Sequence, residues 1–229
     1  MKKPVPRVVW CILIALLLAC LPSQDAGAQV TLATLESAPD FTAYGAALEN
    51  CAYGAAELPP QAAVAAEIRH LEQLLPAAAS LQATVYIVTQ RCSLPGLGML
   101  AGCTLPNRKT VYLFASPRYS AYTVRVTGGT ARTERFAPCL AAYTVAHELG
   151  HLLRYQLLTP QELGAYLAFR GATKTTRRLW ARHPEEIFAE DFRWLFGSEA
   201  ARHIPYLCDV RPPGEKEKAY LLKLLLANE

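Results

Sequence analysis

Charge is scarce in this chain. Charged residues make up 18% of 229 positions, hydrophobic residues 52%, and the net charge is +4. So little charge beside so much apolar content excludes a disordered chain, and the aperiodic Gly and Pro exclude a fibre. No Cys-x-x-Cys occurs, which argues against a thiolate zinc site or a dithiol redox motif. No internal repeat or low-complexity segment is present. No apolar run is long enough to span a bilayer comfortably: the longest is Val8 to Leu21. The length suits one domain with a full core.

That short run has an address-like setting. Lys2, Lys3 and Arg7 precede it, and Ala26-Gly27-Ala28 follows with the small residues that signal peptidase requires. The expectation is a secretory leader over 1–28 and a single domain over 29–229. Loss of the leader brings the net charge close to neutral, so nothing indicates a nucleic-acid partner. Leu17-Leu18-Ala19-Cys20 supports a second reading, a lipoprotein signal with Cys20 as the lipidated residue. Both readings place the domain outside the cytoplasm, secreted or lipid-anchored at the outer face of the membrane. Five cysteines remain there: Cys51, Cys92, Cys103, Cys139 and Cys208. In an oxidising compartment Cys92 with Cys103 is the simplest disulfide, stapling the loop between them.

Residues 29 to 57 are poorly periodic and read as loop with one short helix. Val64, Ile68, Leu71, Leu74 and Leu75 recur at helical spacing between Pro60 and Pro76. Thr84 to Thr89 and Thr110 to Phe114 are β-branched and aromatic, hence strands. Tyr122 to Val126 and Thr130 to Phe136 flank Gly128-Gly129 as a hairpin. From Cys139 the pattern is helical: Cys139 to Leu158, a helix capped by Thr159-Pro160, one from Pro184 to Phe196 stopped by Gly197, and Glu215 to Ala227. Strands first and helices afterwards predict an α+β domain. The Leu221 to Leu226 cluster reads as core. The basic stretch Arg170, Lys174, Arg177, Arg178 and Arg182 reads as a solvated face. Trp180 and Trp194 read as core, near enough to the acidic segment to line a cleft.

Within the long helix stands His147-Glu148-Leu149-Gly150-His151. Two histidines at i and i+4 project from one face and can share one metal ion, for which neutral imidazoles favour zinc. Glu148 lies beside them and can deprotonate a metal-bound water. The chain has only five histidines, so a chance match at this spacing is rare. Zinc requires a third protein ligand. Glu186 and Glu190 share a face of the helix opened by Pro184; one can bind the ion while the other fixes the tautomer of a ligand histidine. The rival reading of Glu185, Glu186 and Glu190 is a solvated acidic face at a helix N-terminus. His183 is a rival ligand.

These two segments, His147 to His151 and Glu186-Ile187-Phe188-Ala189-Glu190-Asp191-Phe192, resemble the gluzincin metallopeptidases. Within them they are most similar to the group of the anthrax lethal factor catalytic domain and the secreted Pro-Pro endopeptidases. The resemblance implies a zincin-like fold: a small twisted sheet, then a mainly helical half, with the site-bearing helix between. It implies one Zn2+ held by His147, His151 and Glu186, Glu148 as general base, and Glu190 behind a ligand histidine. It also implies a peptide or protein substrate lying extended along an edge strand, for which Thr110 to Phe114 or the Gly128-Gly129 hairpin is the expected strand. One position departs. Where those relatives carry an oxyanion-stabilising Tyr, seven residues before the ligand Glu, this chain has Leu179. His183, Tyr166 and Tyr155 are the candidate replacements. A zinc-binding protein of the same fold with little or no proteolysis is the alternative reading.

Overall fold

Alternation of side chains along two strands organises the structure. In the computed structural model, Ala83, Val85 and Ile87 of β3 (Ala83–Val88) and Val111 and Leu113 of β7 (Thr110–Phe114) join one large apolar core. Tyr86 and Val88, with Tyr112 and Phe114, point to the opposite face and a second, small cluster. β7 is buried at every position, as a strand covered on both faces must be. The model describes residues 30–35, 47–49, 57–75, 78, 81–94, 98–105, 107, 109–120, 122–127, 130–172, 175 and 179–227. The expected leader, Cys20 and Cys51 lie outside them.

The protein is a mixed α+β structure with a small mixed sheet. Its four-stranded sheet has the order β1-β3-β7-β6. β1 (Val30–Leu35) and β3 pair in parallel, as do β3 and β7, while β6 (Gly102–Leu105) runs antiparallel to β7. β2 (Ala47–Glu49), β4 (Arg91–Leu94) and β5 (Gly98–Leu100) form a three-stranded antiparallel sheet. β8 (Tyr122–Thr127) and β9 (Thr130–Arg135) form the expected hairpin.

The sheet corrects three expectations. Residues 30–35 are not loop but the outer parallel strand beside β3. The Cys92 to Cys103 segment carries β4, β5 and the start of β6 rather than one loop, and the disulfide across it is not formed. Cys92 and Cys103 are free thiols on separate strands, packed in the small cluster behind the sheet. Burial pushes the Cys103 thiol up to about 12, with Glu148 and Cys92 adding to the effect. Finally, Thr110–Phe114 is an interior strand, paired on both sides, so it cannot take up a further strand. The outer strand on that side is β6.

The helices follow the sequence closely. α1 (Gln61–Leu74) and α2 (Ala137–Leu157) pack on the large core through Val64, Ile68, Leu71, Val145, Leu149, Leu152 and Leu153. α3 (Pro160–Phe169) opens with a reciprocal capping box: Glu162 N–H donates to Thr159 Oγ1 at 3.2 Å, and Thr159 N–H to Glu162 Oε2 at 2.8 Å. α4 (Pro184–Phe196) ends at Gly197, and α5 (Glu199–Arg202) follows at once. Glu67, buried on α1, accepts the Ser198 N–H at 2.9 Å and so ties α1 to the α4–α5 corner. In α6 (Glu215–Ala227), Leu221 and Leu225 reach the core while Leu226 is exposed. Among the described residues, no helix is long and apolar enough to cross a membrane.

Of the basic stretch, Lys174, Arg177 and Arg178 lie outside the described residues, Arg182 is exposed as expected, and Arg170 departs from the expected solvated face. Arg170 is buried, its Nε donating to Asp191 Oδ2 at 2.8 Å and its Nη2 to Asp191 Oδ1 at 3.1 Å. Tyr166 and Tyr206 hydroxyls donate to the same carboxylate at 2.7 and 2.6 Å. Arg182 is on the surface, paired with an exposed Asp209. Breaking the buried pair leaves an uncompensated guanidinium, so Asp191→Asn is expected to cost about 3–5 kcal/mol. Asp209→Asn, at an exposed pair, should cost under about 1 kcal/mol. Chemical denaturation of the two variants checks the contrast.

Candidate metal centre

Two helices cross at their smallest residues. A Cβ built on Gly150 of α2 would lie 3.1 Å from Ala189 Cα and 3.2 Å from Ala189 O on α4. That close approach sets the residues three before and one after each small residue against one another. His147 and His151 descend from α2; Glu186 and Glu190 flank Ala189 on α4. His147 Nε2 lies 3.1 Å from Glu186 Oε2, and His151 Nε2 lies 3.3 Å from the same oxygen. All three donors fall within 4.8 Å of one another. A tetrahedral ion with ligand bonds of about 2.1 Å spaces its donors about 3.4 Å apart. The donor set and its spacing fit zinc.

The far nitrogen of His147 is also held. Nδ1 lies 3.2 Å from Glu190 Oε2, an arrangement that leaves Nε2 for the ion when Nδ1 carries the hydrogen. Glu190 is wholly buried and fully satisfied. It accepts from Arg193 Nε at 3.3 Å, from Arg193 Nη2, and from the Leu207 N–H at 2.9 Å. Arg193, equally buried, spends its remaining donors on Ala201 O at 3.1 Å, Ile204 O at 2.9 Å and Pro205 O at 3.4 Å. Glu190 therefore belongs to no solvated acidic face. Tyr143, one turn before His147, stacks on its ring at 5.9 Å and 15°.

Burial disfavours protonation of His147, but Glu186 and Glu190 outweigh it and raise the imidazole to about 10 in the metal-free chain. Burial would raise the Glu186 carboxyl; His147 and His151 instead hold it well below the usual carboxylate range. Glu190 is lowered against burial by His147 and Arg193.

Glu148 is buried against the sheet. Thr104 of β6 donates its hydroxyl toward Glu148 Oε2 at 2.6 Å and Glu148 O at 2.9 Å. Nothing in the sequence marks Thr104, because the contact spans 44 positions with no shared periodicity. Trp180, on a 3-10 turn over Trp180–Arg182, stacks on His147 at 5.9 Å and is 38% exposed, so it lies at the site rather than in the core. Trp194 packs against Tyr206 and Arg193 instead.

The candidate replacements for the absent Tyr separate clearly. Leu179 is exposed beside Trp180. Tyr166 is fully buried with its hydroxyl committed to Asp191, which removes it as an oxyanion donor. His183 caps α4, accepting the Glu185 N–H on Nδ1 at 3.3 Å, and is not among the three converging donors. Tyr155 and His183 line an open pocket of about 550 Å³, together with the Arg154–Glu185 ion pair at 2.7 Å; none of the three converging donors is in its lining. Comparison with protein families, with curated proteins and with solved structures finds no match to this chain.

Ligation requires a neutral imidazole, whereas Glu186 and Glu190 favour the protonated form of His147. Zinc uptake near neutral pH is therefore expected to release about one proton per site, and affinity to rise with pH. The raised value also means that the proton on His147 stabilises the metal-free fold fully below about pH 6.5 and progressively less through about pH 10. Calorimetric titration in two buffers of different ionisation enthalpy measures the proton count; zero release contradicts the assignment of His147.

Proposed function

We propose that this chain is a zinc-dependent endopeptidase of zincin-like fold, acting outside the cytoplasm in secreted or lipid-anchored form. The observation that carries the proposal is the meeting of His147 Nε2, His151 Nε2 and Glu186 Oε2 at ligand spacing, with Glu148 on the same helix turn. The leader-like segment over 1–28 supports the location.

His147, His151 and Glu186 would hold the ion, and Glu190 keeps His147 in the tautomer that presents Nε2. Bound zinc supplies a Lewis acid that polarises a carbonyl and acidifies water. Glu148 accepts the proton from the attacking water and delivers it to the leaving amine. The substrate peptide pairs with β6, one of the two outer strands of the sheet and the one that touches the Glu148 side chain through Thr104. Strand pairing would hold the peptide extended beside Glu148 and the three donors.

Leu179 favours a second reading, a zinc-binding protein of the same fold with little turnover. An aliphatic side chain donates nothing to an oxyanion, and loss of one such donor typically costs ~10²–10³ in rate. Tyr166 does not compensate, since Asp191 holds its hydroxyl.

Digestion of a broad peptide library, with and without chelator, separates the two readings. Under the peptidase reading, cleavage appears with zinc and stops with chelator. Glu148→Gln should keep one zinc per chain and lose at least ~10²-fold in turnover. Normal cleavage by that variant would remove Glu148 from its role.

A further inference from the structure

Edge strand β6 is fitted to Glu148 at two places. At Gly102 an added Cβ would lie 2.7 Å from Thr144 Cγ2 and 2.9 Å from both Glu148 Cγ and Glu148 Oε1. No side chain fits there without displacing the base. Two residues on, and so on the same face of the strand, Thr104 reaches the other carboxylate oxygen, Oε2, at 2.6 Å. That is the short distance of a hydroxyl bonded to a carboxylate. The same hydroxyl lies 2.9 Å from the main-chain oxygen of Glu148, so its one proton is shared between the side chain and the helix backbone. A glutamate side chain has three rotatable bonds and loses appreciable freedom when held in one rotamer. Here the absent side chain at 102 leaves room for one carboxylate oxygen, and the hydroxyl at 104 grips the other.

We infer that Thr104 is a positioning residue: it aims the Glu148 carboxylate from the strand on which the substrate would lie. Its catalytic consequence rests on the peptidase reading; its structural consequence does not. Thr104 acts through Glu148 and has no part in ligating the ion. Because it sits on the strand proposed to receive the peptide, it links placement of the substrate to placement of the base.

The test compares wild type, Thr104→Val and Thr104→Ser as zinc-loaded full-length proteins. Valine keeps the shape and removes the hydroxyl; serine restores it. Crystal structures should show the Glu148 carboxylate against β6 in wild type and Thr104→Ser, and in other rotamers in Thr104→Val. On a library-derived peptide, Thr104→Val should lose about tenfold to a hundredfold in kcat, with KM, zinc content and Tm close to wild type. Thr104→Ser should recover most of that loss, which a purely structural role would not produce. A Thr104→Val protein that holds Glu148 in place, or turns over at the wild-type rate, overturns the assignment and leaves the peptidase reading standing. A wild type that cleaves nothing with zinc present sinks the peptidase reading alone, and the crystal comparison still decides the role of Thr104.

Discussion

The distance between α2 and α4 governs the centre. Side chains on the two sides of a crossing can converge only if the backbones at the crossing nearly touch. Gly150 against Ala189 provides that contact, leaving no room for a Cβ without a shift of the neighbour. The two histidines and two glutamates then need no unusual conformations, because each pair already shares a helix face. A larger residue at either position would push the helices apart and stretch the donor spacing for all four side chains at once.

Holding carboxylates in such a place is costly unless each is paired. The structure answers with Arg193, which neutralises Glu190 and donates to the carbonyls of Ala201, Ile204 and Pro205. The segment after α5 is thus bound to the back of the centre. A neighbouring network, Asp191 with Arg170, Tyr166 and Tyr206, ties α3 and the same segment to α4. Adjacent residues of one helix, Glu190 and Asp191, therefore serve opposite ends of a continuous polar seam through an apolar core. Rigidity of His147 follows from this seam and from the Tyr143 ring stacked on it.

Local patterns in the sequence were legible and distant pairings were not. The helices showed themselves through apolar spacing and Pro punctuation, and the His147–His151 and Glu186–Glu190 pairs through i, i+4 spacing alone. β1 has no strand signal of its own because its pairing partner, Ala83 to Val88, lies some fifty residues on. β4, β5 and β6 are short, and the sequence between the first two holds Pro95 and Gly96, so pairing decides their state rather than propensity. Arg170 looked solvated because Asp191 is 21 positions away. Tyr166 looked available for the same reason. Strand order cannot be read from alternation: of the two expected edges, Thr110–Phe114 is central, and the half-buried β6 beside it lies outermost.

The brevity of β6 has a consequence for selectivity. Four residues extend about 13 Å, and in a ladder only alternate residues turn their N–H and C=O toward a given side. Under the peptidase reading, two residues of β6 could turn these groups toward an incoming strand, enough for about four hydrogen bonds. A docked chain would be gripped over only a handful of positions around one bond. Discrimination among targets then falls to the few side chains bracketing that bond, and lengthening the ligand beyond them adds little affinity.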